Sequence, residues 1–115
     1  MIIITKEFRK ELKGFSHGLL NEIITLIWKY HRGLETNLFE IRDYGEYILL
    51  KGYLSGKNIR LLVAKSQDPY YIPLQLFRKE SRSGWNIRED FDITIPIQKA
   101  DKCIQIDEFE TFHIQ

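Results

Sequence analysis

The chain has 115 residues, 43% hydrophobic and 29% charged, a balance that fits one globular domain over residues 1–115 and excludes a disordered chain. No stretch approaches the ~18 apolar residues that span a bilayer, the first apolar run is too short for a signal peptide, and the one cysteine, Cys103, makes no internal disulfide, so no membrane role and a reduced, cytoplasmic setting are expected. The net charge of +1 hides a basic middle: residues 51–87 carry seven Lys/Arg against two acids, a balance of +5, and residues 88–115 carry three against seven, a balance of −4.

In chain order, Ile2–Thr5 is a short β-branched run that reads as an edge strand. Residues 6–15 place Phe8, Leu12 and Phe15 on one helical face, ending near Gly14. Ser16 is the expected N-cap of a second helix, because its hydroxyl can accept from a free first-turn N–H. Leu19, Leu20, Ile23, Ile24, Ile27 and Trp28 recur at helical spacing, and His31-Arg32-Gly33 supplies basic residues and a glycine C-cap. After Gly33 the period changes. Residues 38–42 alternate as a strand, and Asp43-Tyr44-Gly45 makes a turn.

Three apolar runs follow: Tyr47–Leu54, 59–65 and 70–77, separated by Ser55-Gly56-Lys57-Asn58 and by Ser66-Gln67-Asp68-Pro69. Runs of this length between turn residues predict an antiparallel meander. Pro73 lacks a ladder donor, so its position is an edge or a bulge. Residues 80–85 are polar and turn-like, residues 91–97 alternate as another strand, and residues 98–112 read as a short helix without a clean apolar face. Residues 88–115 form an acidic extension of undefined role. The expected fold is α+β, with two N-terminal helices on one face of a four- or five-stranded antiparallel sheet.

Three motifs for familiar chemistry are missing from the sequence: it has no CxxC, HExxH or GxxxxGK[ST]. His17, His31 and His113 share no metal-like spacing, so neither metal nor cofactor is expected. Cys103 reads as a small buried hydrophobe. What remains is the basic cluster Lys51, Lys57, Arg60, Lys65, Arg78, Lys79 and Arg82, interleaved with Tyr70, Tyr71 and Trp85. Taken singly, cations such as Lys57 in a hairpin turn are ordinary solvated residues, and the aromatic side chains serve equally as core. Taken together, cations beside aromatic rings suit single-stranded RNA, whose bases stack on rings and whose phosphates pair with cations. By alternation, Arg60 shares a strand face with Leu62 and Ala64, and Lys51 shares one with Tyr53.

Three segments carry a family resemblance: Leu38-Phe39-Glu40-Ile41-Arg42, Ile59-Arg60-Leu61-Leu62-Val63, and Leu74-Gln75-Leu76-Phe77-Arg78-Lys79-Glu80-Ser81. Their order after two helices resembles the RelE/ParE superfamily of bacterial type II toxin–antitoxin systems, over roughly residues 2–85. The resemblance implies a small toxin neutralised by a cognate antitoxin. The RelE-like branch cleaves mRNA in the ribosome and so inhibits translation. The ParE-like branch inhibits DNA gyrase, and a non-catalytic adaptor is a further alternative. By the same resemblance Arg60 matches the phosphate-stabilising strand arginine, Arg78 and Lys79 match the basic pair after the last-strand Phe, and Lys51 matches the strand lysines more loosely. The sequence departs from the pattern in the extra run 44–55, in Glu80 where a second basic residue is usual, and in the acidic extension.

The expected activity is a metal-independent endoribonuclease, with Lys51, Arg60, Arg78 and Lys79 as catalytic residues and Lys57, Lys65, Arg82 and Trp85 as RNA-binding residues. Attack by the 2′-OH requires a base, charge stabilisation at the phosphorane and a proton for the leaving oxygen. Arginine clamps phosphate in a fork. Lys51, set beside Arg60 and Arg78, is the expected base, since neighbouring cations favour a neutral amine.

Overall fold

The structure is a computed structural model that describes residues 1–54, 56, 58–78 and 100–105. Its elements are β1 (Ile2–Thr5), α1 (Lys6–Leu12), α2 (Leu19–His31), β2 (Leu38–Asp43), β3 (Tyr47–Leu54), β4 (Ile59–Ser66), β5 (Tyr71–Arg78) and β6 (Ala100–Ile104). The expected 91–97 strand lies outside the described residues.

Local chemistry sets the helix ends. Thr5 leaves β1 extended, and its hydroxyl accepts from the Phe8 N–H at 3.1 Å, capping α1. The expected Ser16 cap of α2 is not formed. The helix starts after Gly18 with no side-chain cap. Its end follows the glycine pattern: Gly33 takes φ 72°, its N–H donates to Tyr30 O, and the Leu34 N–H donates to Lys29 O.

The sheet has six strands in the order β2-β3-β4-β5-β1-β6 and is mixed, which corrects the expected four- or five-stranded antiparallel sheet. Strand β1 is internal. It runs parallel to β5, with Ile2 opposite Tyr71, and antiparallel to β6. All four β1 residues are buried, so the run fits a strand covered on both faces. Residues 100–104, expected to be helical, form the edge strand beside it. Cys103 on that edge is exposed rather than buried. The meander is built as expected, β2 to β5 pairing antiparallel in sequence order.

Both helices pack on one face of the sheet. Phe8 of α1 and Leu19, Ile23 and Ile27 of α2 join Leu50, Leu54, Leu61, Val63, Tyr71 and Leu76 in one buried core. Strand β3 has Gly52 where Leu26 of α2 and Leu38 of β2 pack closely against it. A Cβ there would lie 2.8 Å from Leu26 Cδ2 and 3.1 Å from Leu38 Cδ1. A second buried cluster, Ile3, Tyr47, Ala64 and Ile72, lies on the other face. No described helix is long and apolar enough to cross a membrane.

Candidate nucleic-acid interface

Strand parity decides which cations meet, and two β-bulges alter it. In β5, Tyr71 faces the helices and Ile72 faces away. Strict alternation would then send Leu74, Leu76 and Arg78 away from the helices. The register slips instead: Val63 pairs with Pro73 and Leu62 with Gln75, leaving Leu74 as the extra residue. Leu76 returns to the helix-side core, and Arg78, opposite Ile59, follows it. Pro73 thus lies at a bulge of an internal strand, where its missing N–H is tolerated. In β2 the slip falls at Ile41. Phe39 pairs with Lys51, Glu40 with Leu50, and Arg42 with Leu49. Arg42 is thereby brought to the same face as Phe39.

The face turned away from the helices therefore carries Phe39, Arg42, Lys51, Tyr53, Arg60, Gln75 and Phe77. The Lys51 Nζ sits 5.3 Å from the Tyr53 ring centroid, and Arg60 Cζ sits 6.0 Å from it. Phe39 packs against the same ring at 5.9 Å. Arg42 Cζ lies 4.9 Å over Tyr44, which stacks on Tyr47. Strands β2–β5 place no carboxylate on this face, because Glu40 and Asp43 lie opposite Leu50 and Ile48 on the helix side. Such a face attracts anions. Its centre is closed, with Leu49 and Leu62 buried. The open part is the β2–β3 margin, where Phe39 is 43% exposed and Lys51 and Tyr53 are half-buried. Among the described residues, Arg60 Nε and Gln75 Oε1 are buried and meet no hydrogen-bond partner. A buried donor and acceptor left unmade are costly.

Cations on the helix side have structural contacts. Arg78 Nη2 donates to Gly14 O at 2.9 Å, and its guanidinium lies 4.6 Å over the Phe15 ring. It ties the end of α1 to β5, so the expected grouping of Lys51 with Arg78 is not formed. Lys65, also on this side, lies 5.2 Å from the Tyr30 ring. Tyr30 donates to Glu40 Oε1 at 3.1 Å, and the Tyr71 hydroxyl meets His31 Nδ1 at 3.0 Å. Burial pushes both tyrosines up to about 12, assisted by the Glu40 charge and hydrogen bond for Tyr30 and by Tyr30 for Tyr71.

Of the expected site residues, Lys51 and Arg60 come together, Arg78 and Lys65 lie on the opposite face, and Lys57, Lys79, Arg82 and Trp85 lie outside the described residues. Sequence reasoning passed over Phe39 and Arg42. Their signal was an aromatic and an arginine in one strand, but only the bulge puts them on one face. Among the described residues, no three His, Cys, Asp or Glu side chains gather as a metal site. No family model matches the chain, and no curated protein or solved structure matches it.

Proposed function

We propose that the chain is a RelE-like toxin that inhibits translation by engaging mRNA through the sheet face turned away from the helices. The observation that carries this reading is the pair Lys51 and Arg60, both set against Tyr53 on a face without a carboxylate from β2–β5. Two cations in a partly buried setting attract phosphate more strongly than solvated ones, and arginine adds a two-point grip. For cleavage, Arg60 stabilises the charge developing at the phosphorane, while Lys51 and Tyr53 are the nearest groups able to move a proton. As a toxin of this kind it acts in the cytoplasm on ribosome-bound mRNA and is held inactive by a cognate antitoxin.

A second reading, a non-catalytic RNA binder of the same type, is favoured by Arg78. That arginine is bonded to Gly14 on the other face, which leaves the RNA face one cation short of the expected clamp. Inducing the protein in a bacterium and mapping mRNA 5′ ends separates the two. Growth arrest with cuts phased to codons supports the nuclease. Arrest with intact mRNA, together with binding of RNA by the purified protein, supports the binder. Normal growth and no RNA binding would overturn both.

A further inference from the structure

We infer that Phe39 is the base-stacking platform of a single-stranded RNA track along the β2–β3 margin, flanked by Lys51 and Arg42 as phosphate contacts. This rests on the reading of the same face as an RNA surface and extends it to two residues with no role so far. Tyr53 is a poor platform, because Lys51, Arg60 and Phe39 already crowd its ring. Phe39 is different. It is one of the few large hydrophobic side chains left exposed among the described residues, at 43%. It lies directly across from Lys51, and it is the more exposed ring of its pair with Tyr53.

The β2 bulge makes this a track rather than a spot. With regular alternation Arg42 would point to the helix side with Glu40. The slip at Ile41 sets it opposite Leu49, two residues along β3 from Lys51 and on the same face. The two cations are thus about 7 Å apart along the strand direction, at roughly 3.4 Å per residue. Arg42 also lies against a ring, Tyr44. A ring and a cation at one end, repeated at the other, on a face to which β2–β5 contribute no carboxylate, match a polyanion with stacking bases. A neutral peptide strand would not need the cations, and the bulge itself disfavours strand addition to this edge.

The test is fluorescence anisotropy with a labelled oligouridylate, read at low and moderate salt, on the full chain. Wild type is expected to bind with salt-dependent affinity. Phe39→Ala and Phe39→Leu should each weaken binding about tenfold, since leucine restores apolar area but offers no π-face. Phe39→Trp should bind at least as well as wild type. Arg42→Ala should weaken binding and reduce the slope of log affinity against log salt by about one. Far-ultraviolet circular dichroism of each variant checks the fold, and the tryptophan variant covers the case in which alanine disturbs the edge. If wild type binds but Phe39→Ala and Phe39→Leu bind equally well, the stacking inference falls and the RNA reading stands. If wild type does not bind RNA, both fall.

Discussion

Arg60 and Arg78 lie on neighbouring strands, yet they face opposite sides of the sheet. Arg78 turns to the helices and is used up in structure, donating to Gly14 O and covering Phe15. Arg60 turns away, lies against the Tyr53 ring, and among the described residues its buried Nε meets no hydrogen-bond partner. The difference comes from one extra residue in β5, beside Pro73. A bulge inverts the parity of every residue after it, so it assigns side chains to faces as effectively as a substitution would. The slip at Ile41 does the reverse for Arg42, bringing a cation to the face that the other slip deprives of one.

If the helix side is structural and the other margin is not, substitutions on the two faces should separate stability from binding. The largest stability effect is expected at the helix-side core. Leu61 is fully buried there, and Leu61→Ala should cost about 2–5 kcal/mol in urea unfolding. A loss below 1 kcal/mol would mean that the helices do not pack on that face as described. Tyr71→Phe removes the hydroxyl that meets His31 and should cost about 1 kcal/mol. Tyr71 and Tyr30 also predict an alkaline limit. Both are pushed up to about 12, against roughly 10 for an unfolded tyrosine. The folded state holds these protons more tightly, so stability is level below pH ~10 and falls as pH rises towards ~12. Absorbance at 295 nm should show tyrosine ionisation extending towards pH ~12, and Tyr71→Phe should reduce that late step and lessen the alkaline loss. Smallest is Arg78→Ala, expected to cost about 0.5–1 kcal/mol through the lost Gly14 bond and Phe15 contact. Its effect on RNA binding should be slight, unlike the loss of activity that the family resemblance implies.

The meander was legible because its information is local. Tyr47–Leu54 is an apolar run bounded by turn residues, and β3 spans those same residues. The end of α2 was equally local, since Gly33 alone at φ 72° closes it. What could not be read depends on distant partners. Ile2–Thr5 is too short to declare whether it is an edge or an internal strand, and its parallel contact with β5 is a single register pair, Ile2 with Tyr71. Residues 100–104 have no clean apolar pattern, and pairing with β1 makes them a strand. That Lys51 shares a face with Tyr53, and Arg60 with Leu62 and Ala64, followed from counting by twos within unbulged strands. Arg78 and Arg42 did not follow, because counting by twos fails across a slip that only the facing strand reveals.

The most direct test of this division of labour is the affinity of a labelled single-stranded oligoribonucleotide for Arg60→Ala and for Arg78→Ala, measured as a function of salt. Arg60→Ala should stay folded, lose about tenfold or more in affinity, and have a salt slope lower by about one charge. Arg78→Ala should bind as wild type does, with an unchanged slope. Equal losses in both variants, or a loss confined to Arg78→Ala, would contradict the assignment of RNA to the face turned away from the helices.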